Sequence, residues 1–420
     1  MSGKTEGKTL LHRWFKKENV TLFLLVIVLS IEDSTAVDNL RLVFRWKFLE
    51  YDWPDENTRN LFSHYKRESN NPLAIAVAGN RLFITVPRWQ RGVAASLNYV
   101  YLNDTSESPL LHPYPSWEAH RYGPSGLVPE IISPFRVWAD RCDRLWVIDV
   151  GREDIYADWE LQSPSTLIVY DLKSDQLIRR FTIPHKFDPD WAEFGNVVVE
   201  DANCNDSYAY LADPGTPKLL VYSWSLNASW AIHHHYFYPE PQSGDFVYDD
   251  TYFQWWDGVT GMALAPEKDG FSTLYFHPLC STTQFSVNTR LLRDPKRANL
   301  PENFYEFKVL GSRGRNGQST SSYLDQTTGI LFQVQTFKNL VSCWKPGTEY
   351  NQTNFGIVHA DNVTLNFPTH ITIDRGNIWV ISNRLPKFLF AELNLEEYNF
   401  HVITGSVREA IKETGCSTES

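Results

Sequence analysis

The sequence predicts an all-β protein, a six-bladed β-propeller closed by an N-terminal strand. Three observations predict it: a strand-pair pattern that occurs six times, a composition typical of strands, and no long amphipathic helical stretch between the pairs. Aromatic residues make up 14% of the 420 residues, with 15 Trp and 20 Tyr against 2 Met. Rigid aromatic and β-branched residues favour strands over helical bundles.

Residues 1–36 have the pattern of a secretory signal peptide. Five Lys and Arg residues precede the apolar run 20–31, and the small residues Ser34, Thr35 and Ala36 follow it. The apolar run is too short to cross a hydrocarbon core of about 30 Å at 1.5 Å per residue. We therefore expect cleavage before Val37 and a secreted, extracellular protein with no membrane segment after cleavage; an uncleaved signal anchor is the alternative.

Residues 37–405 contain six copies of a short apolar stretch, a turn and an apolar-aromatic strand. The second strands of the pairs are 82–86, 145–149, 208–213, 274–277, 330–334 and 378–382. A four-stranded sheet with two apolar faces is not stable alone in water, whereas six arranged radially bury each face against a neighbour. Strand 42–46 is expected to complete the last blade, and 406–420 to form a polar tail. Two β-sandwiches are the alternative fold.

The five cysteines suggest two disulfides and one spare thiol, as is typical of an exported chain. Cys142 and Cys204 lie in equivalent turns of consecutive repeats, so they are expected to pair. Cys280 and Cys343 follow the second strand in the next two copies and are expected to pair in the same way. Cys416 is left over.

Five Asn-x-Ser/Thr triplets agree with export, because they are acceptors for N-glycosylation. They begin at Asn103, Asn205, Asn227, Asn351 and Asn362.

Several functional classes are disfavoured by the sequence. The net charge of −11 repels phosphate backbones, so no nucleic-acid partner is expected. No cysteine has metal-ligand spacing, and no Gly-rich phosphate loop, Gly-x-Ser-x-Gly elbow or Ser/His/Asp set is found. We therefore expect neither a metal nor another cofactor. The sequence does not predict the oligomeric state.

Several motifs resemble the Yellow and major royal jelly protein family of insects. They are the segments 86–89, 142–151, 212–214, 369–370 and 378–384, in the family's order, and Cys142, Cys204, Cys280 and Cys343 fit the family's four cysteines. The resemblance implies secretion and a six-bladed propeller. It leaves function open, because the family includes pigmentation proteins, dopachrome-converting enzymes, nutritive jelly proteins and salivary amine binders.

Second-strand ends and first-strand starts are expected to meet at one mouth of the central channel, because paired strands are antiparallel. Asp149 and Asp213 end two second strands there. They are the candidate catalytic bases, with His277 as a weaker third. The alternative for both aspartates is a structural role in which they hydrogen-bond to backbone at the strand ends.

Similarity to the salivary amine binders suggests the ligand-binding residues. Those relatives place a Thr and an Asn of the last blade at the amine, and the equivalent positions here are Thr369 and Asn383, with the carbonyl group of Leu385 as a further candidate. The expected partner is a small aromatic amine or catechol.

Three functions follow from these expectations. The first is a secreted, non-catalytic protein of cuticle pigmentation that binds catecholamine- or indole-type molecules in the channel. The second is a dopachrome-converting enzyme, of isomerase or decarboxylase type, in melanin biosynthesis. The third is a storage or signalling protein that uses its outer surface.

Overall fold

The protein is a six-bladed β-propeller, as the repeats predict. Its structure, a computed structural model, describes residues 39–123, 127–155 and 160–417. The expected signal peptide, residues 1–36, lies outside the described residues. Six four-stranded antiparallel sheets surround one axis, and their innermost strands contact one another in a closed ring.

Each blade is built from four strands. Blade 1 contains β2 Ala74–Ala78, β3 Arg81–Thr85, β4 Leu97–Tyr101 and β5 His112–Pro113; blade 2 contains β6 Pro134–Ala139, β7 Arg144–Asp149, β10 Thr166–Asp171 and β11 Leu177–Thr182. Blade 3 contains β12 Asn196–Glu200, β13 Tyr208–Asp213, β14 Lys218–Ser223 and β15 Ala228–Ile232; blade 4 contains β18 Val259–Leu264, β19 Thr273–Pro278, β20 Thr283–Asn288 and β21 Lys308–Ser312. Blade 5 contains β22 Ser319–Leu324, β23 Leu331–Gln335, β24 Leu340–Trp344 and β25 Phe355–Ala360; blade 6 contains β26 Pro368–Asp374, β27 Asn377–Ser382, β28 Phe400–Ser406 and β1 Arg41–Trp46.

Apolar clusters between neighbouring blades form the core. Strands β7 and β14 are buried at every position, because each lies in the middle of a sheet with a neighbouring sheet on both faces. The side chains of Val147 and Ile148, which point to opposite faces, therefore pack in two different clusters. This arrangement explains why the second strands have near-continuous apolar sequences.

The N-terminal strand closes the ring, as the sequence predicts. Strand β1 pairs with β28 in antiparallel register, with Trp46 opposite Phe400. Phe44 and Trp46 are buried in the cluster between blades 6 and 1. The last blade is therefore assembled from both ends of the described chain.

Short elements connect the blades. Two small hairpins are formed by β8 Arg152–Glu153 with β9 Glu160–Leu161, and by β16 Asp245–Tyr248 with β17 Thr251–Gln254. The helices are α1 Glu56–Leu61, α2 Thr289–Leu292, α3 Leu385–Phe390 and α4 Val407–Ile411. Among the described residues, none of the helices has the length and apolarity needed to cross a membrane.

One predicted disulfide is confirmed and the other is wrong. Cys142 and Cys204 are bonded between blades 2 and 3, with Cα atoms 5.7 Å apart. Cys343 is bonded to Cys416, however, and Cys280 is a buried free thiol. The prediction fails because Cys280 follows a second strand, whereas Cys343 lies near the far end of the third strand, β24.

The segment 406–420 is not a separate polar tail over its described part. Helix α4 packs against β25 and β28, and Ala410, Ile411 and Cys416 are buried in the cluster between blades 5 and 6. Because apolar positions of α4 face these strands and Cys416 is bonded to β24, the segment up to Ser417 is part of the propeller.

The predicted glycosylation sites occupy different surroundings. Four of the five asparagines are exposed and Asn351 is half-buried; the exposed ones are Asn103, Asn205, Asn227 and Asn362. The Oδ1 atom of Asn351 accepts a hydrogen bond from the backbone N–H of Asn354, 3.1 Å away. Glycosylation of these residues stays a prediction.

Candidate ligand cavity at the upper mouth of the channel

The propeller axis has two ends, and we call the end at which the first strands begin the upper mouth. A small space at this mouth, the upper cavity, has a volume of about 60 Å³. It is lined by Leu73, Trp89, Phe135, Arg136, Glu193, Gly195, Pro214, Trp255, Asp257, Thr260, Leu279, Thr320, Thr369 and Leu385. A wider space of about 810 Å³ lies at the opposite end, where the hairpin turns of the blades meet. We call it the lower funnel.

Side chains close the channel between these two spaces. Trp138 of blade 2 and Tyr323 of blade 5 stack across the axis, with ring centroids 5.1 Å apart and ring planes 15° apart. Blades 2 and 5 are opposite each other in the ring, so the pair spans the channel. This stacked pair therefore separates the upper cavity from the lower funnel along the axis.

The guanidinium group of Arg136 forms the floor of the upper cavity. It donates hydrogen bonds to four backbone carbonyl groups from four other blades: Gly195 at 3.1 Å, Thr369 at 3.2 Å, Leu73 at 3.4 Å and Thr320 at 3.5 Å. Burial lowers the pKa of Arg136 to about 9. This side chain joins the blades at the axis and gives the floor a positive charge.

Aromatic and aliphatic side chains form the walls. Trp89 packs edge-to-face on Phe135, with ring centroids 5.8 Å apart, and also contacts Phe388 of α3. Trp255 packs edge-to-face on Phe253 of β17 at 5.1 Å. These rings give the cavity apolar surfaces on which an aromatic ligand can stack.

Two carboxyl groups, Glu193 and Asp257, lie at the wall of the same cavity. Burial, together with the nearby charges of Asp257 and Asp213, raises the pKa of Glu193 to about 8. Burial also raises the pKa of Asp257 to about 6. In the described part of the chain, no hydrogen-bond donor contacts the side-chain oxygens of either residue. Groups whose charged form is disfavoured in this way are typical of functional sites.

Two further polar atoms of the cavity have no hydrogen-bond partner among the described residues. They are the indole Nε1 of Trp255 and the hydroxyl Oγ1 of Thr260. Trp255 is 8% exposed and Thr260 is 7% exposed. Buried polar groups are normally paired, so these atoms are available to a ligand or to water.

The predicted ligand-binding residues are only partly brought together. Thr369 and Leu385 line the upper cavity, and the hydroxyl of Thr369 donates to the carbonyl oxygen of Leu73 at 2.9 Å. Asn383 does not line it. The amide of Asn383 donates to the carbonyl oxygen of Pro72 at 2.6 Å and accepts from the backbone N–H of Leu385 at 3.1 Å. Asn383 therefore joins blade 6 to blade 1.

The candidate bases Asp149 and Asp213 have structural contacts. Asp149 accepts hydrogen bonds from the backbone N–H groups of Ile132, Ser133 and Gly151, at 2.7–2.9 Å. Asp213 accepts from the backbone N–H of Glu193 and forms a buried ion pair with Lys218. Neither aspartate lines the upper cavity. Their contacts correspond to the structural role given above as the alternative, in which they hydrogen-bond to the backbone at the strand ends.

His277 also lies away from the cavity. Its ring nitrogens contact the side chain of Gln284 at 3.0 Å and the carbonyl oxygen of Ser319 at 3.2 Å. Burial holds the pKa of His277 well below its usual range. The ring is a neutral packing element between blades 4 and 5.

Sequence reasoning missed the charged residues of the cavity. Glu193 lies three residues before β12, and Asp257 lies two residues before β18. Aligning the first-strand starts and extending the alignment three residues upstream would have found both. No comparable signal marks Arg136, because its side chain reaches the axis from inside β6.

No group of three His, Cys, Asp or Glu residues that could hold a metal ion occurs in the described ranges.

The family model for "Major royal jelly protein" matches residues 132–416. Protein yellow of Drosophila pseudoobscura pseudoobscura is 36% identical over 402 residues, which cover 94% of this chain and 71% of the relative. Protein yellow of Drosophila melanogaster is 35% identical over 402 residues, which cover 94% of this chain and 73% of the relative.

The chain belongs to the major royal jelly/Yellow family. The matched region of this Yellow-family chain contains all residues that line the upper cavity except Leu73 and Trp89. Among solved structures, a structural-genomics protein of Bacteroides thetaiotaomicron is similar, with a TM-score of 0.50 and 12% identity over 87% of this chain and 76% of that chain. This last likeness concerns the fold alone.

Proposed function

We propose that this protein is a secreted, extracellular protein of cuticle pigmentation that binds a small aromatic amine of catecholamine or indole type in the upper cavity. The observation that carries the proposal is the combination of aromatic walls with the carboxyl groups of Glu193 and Asp257. The basic and apolar pattern of residues 1–36 and the two disulfides support secretion.

The acid pair supports a cationic ligand. Two ionised carboxylates close together repel each other, and an ammonium group between them would relieve this repulsion. Binding of the ammonium would therefore lower the pKa of both groups and release protons. Glu193 and Asp257 are the residues that we assign to the amine.

The unpartnered donors support a ligand with ring hydroxyls. The Nε1–H of Trp255 and the hydroxyl of Thr260 are both buried and both line the cavity. A catechol or hydroxyindole oxygen would accept a hydrogen bond from Trp255 while its ring packs on the aromatic wall.

Entry of such a ligand requires side chains to move. Ligand pockets for drug-sized molecules typically measure about 300–1,000 Å³, well above the present volume. Trp255 and Leu385 both line the cavity, Trp255 next to the β16–β17 hairpin and Leu385 at the start of the short helix α3. We expect both to shift outward on binding.

Calorimetric titration with dopamine, serotonin and dopachrome tests the proposal. Saturable binding of at least one ligand is expected, and Glu193→Gln should weaken the binding of the two amines about tenfold or more. Glu302→Gln, at an exposed position, is the matched control and should bind like the wild type. Flat titrations with all three ligands would overturn the proposal.

A dopachrome-converting activity is the second candidate, and one observation favours it. Raising the pKa of Glu193 to about 8 makes this carboxyl group able to give and take a proton at neutral pH. The test follows the loss of dopachrome colour above the spontaneous rate, with Glu193→Gln and Asp149→Asn side by side. If Glu193 transfers the proton in this reaction, Glu193→Gln should lose the activity. Folded Asp149→Asn should retain it.

A further inference from the structure

We infer that the upper cavity prefers aromatic α-amino acids to the corresponding amines, because Arg136 supplies a positive charge for the carboxylate of the ligand. The inference rests on the proposed function and names the substrate class of the same cavity. The amine would contact Glu193 and Asp257, and the carboxylate would contact the floor.

Arg136 is a buried cation without an anionic partner. It is 3% exposed, and among the described residues no carboxylate oxygen lies within 4.0 Å of its guanidinium nitrogens. Other buried arginines are neutralised by carboxylates, as in the pairs Arg88–Glu153, Arg144–Asp140 and Arg152–Asp188. A buried charge that lacks a counter-ion is costly, so a ligand carboxylate at this place would be strongly favoured.

A second buried arginine, Arg313, also contacts only neutral groups, but it has a different place. Its guanidinium is enclosed by Gln284, Tyr350 and backbone carbonyl groups between blades 4 and 5. Arg313 does not line the upper cavity. Only Arg136 combines an unneutralised charge with access to this ligand space, within the described part of the chain.

The contacts of Arg136 leave room for a carboxylate. A guanidinium group carries five N–H donors, and four carbonyl groups accept from this one, so one N–H remains. The contact to the Thr320 carbonyl is long, at 3.5 Å, and is the weakest of the four. An incoming carboxylate would take the remaining N–H and compete for the one that points to Thr320.

The charges of the cavity favour a zwitterion as a whole. Glu193 and Asp257 lie on the wall, and Arg136 lies on the floor, with no salt bridge between the two groups. An amine without a carboxylate would satisfy the acids and leave Arg136 unneutralised. An α-amino acid carries its ammonium and carboxylate groups on the same α-carbon, so it brings both charges and can satisfy both sides.

Titrations with three ligands that share one ring test the inference: L-DOPA, dopamine and L-DOPA methyl ester. The wild-type protein should bind L-DOPA about tenfold or more tightly than either dopamine or the ester. In Arg136→Met this preference should be lost, so that L-DOPA binds no more tightly than dopamine to the same variant. The exposed Arg290→Met is the matched control and should keep the preference.

The ester comparison uses only the wild-type protein, so it decides the matter even where Arg136→Met fails to fold. Equal or tighter binding of dopamine or of the ester would overturn this inference and leave the proposed amine binding intact. Absence of binding for all three ligands would overturn both.

Discussion

Hydrogen bonding divides the carboxyl groups near the upper mouth into two kinds. Asp149 and Asp213 have their oxygens occupied by backbone N–H groups and, for Asp213, by Lys218. Glu193 and Asp257 have side-chain oxygens that no donor in the described ranges contacts. The first kind holds strand ends in place, and the second kind is available for a cationic ligand.

The binding of dopamine should depend on pH with a defined sign. An ammonium ligand binds ionised carboxylates, and the pKa is raised to about 6 for Asp257 and to about 8 for Glu193. Affinity should therefore rise as the pH rises through these two values, and calorimetry between about pH 5 and about pH 9 would measure it. In Glu193→Gln the rise near pH 8 should disappear, and an unchanged profile would contradict the assignment.

Removing the amide of Asn383 should reduce stability rather than act on the ligand directly. In Asn383→Ala the carbonyl oxygen of Pro72 and the N–H of Leu385 lose their partner. Leaving buried groups unpaired in this way costs about 1–3 kcal/mol, measured as the free energy of unfolding. Unfolding in urea and dopamine titration at a temperature where both proteins are folded separate the two effects. Unchanged stability with lost binding would favour direct contact.

Residue roles were less predictable than the strands. Thr369 and Leu385 could be placed at the cavity by resemblance, because Thr369 lies at the start of β26 and Leu385 lies three residues after the end of β27. The environment of Asn383 could not, since its partner Pro72 is 311 positions away along the chain. A role decided by such a distant contact leaves no local pattern in the sequence.

At the scale of elements, loops between blades shape the cavity more than the strands do. Hairpin β16–β17 contacts helix α3, and Phe253 stacks on Phe390 with ring centroids 4.8 Å apart. Both elements lie outside the six repeated strand pairs, so the repeat pattern does not predict them. They surround Trp255 and Leu385, two of the residues that line the cavity.

The C-terminal segment shows the same limit of the repeat pattern. The repeat pattern predicts that Cys416 is spare, because it lies beyond the last repeat, yet it is bonded to Cys343 and buried beside α4. The pairing of Cys142 with Cys204 was predictable, since both occupy equivalent hairpin turns of adjacent blades. The distance between two cysteines can be predicted when they occupy equivalent positions of adjacent repeats. It cannot be predicted in this way when one of them lies outside the repeats.

The disulfide assignment predicts different effects for two cysteine variants. Cys416→Ser should lower the free energy of unfolding by about 2–4 kcal/mol, because the bond closes a long loop in the unfolded chain. Cys280→Ala, the control, should leave both disulfides intact. Thiol alkylation of the denatured, unreduced protein followed by mass spectrometry should label Cys280 alone. Labelling of Cys416 in the wild type would contradict the assignment.

At the scale of the whole molecule, ring closure brings the cavity residues together. Arg136 contacts carbonyl groups of four other blades, and the closed ring of innermost strands brings these blades together at the axis. The ring itself was predictable, because six copies of a strand pair arranged radially bury each sheet face against a neighbouring sheet. The closed channel was not, since Trp138 and Tyr323 meet across the axis from distant blades.

A crystal structure of the protein with dopamine bound tests the central claim most directly. We expect the amine nitrogen of dopamine within about 3 Å of a carboxylate oxygen of Glu193 or Asp257, and its ring against the aromatic wall of the upper cavity. Dopamine bound in the lower funnel, or bound in the upper cavity with its amine away from both carboxylates, would contradict the account.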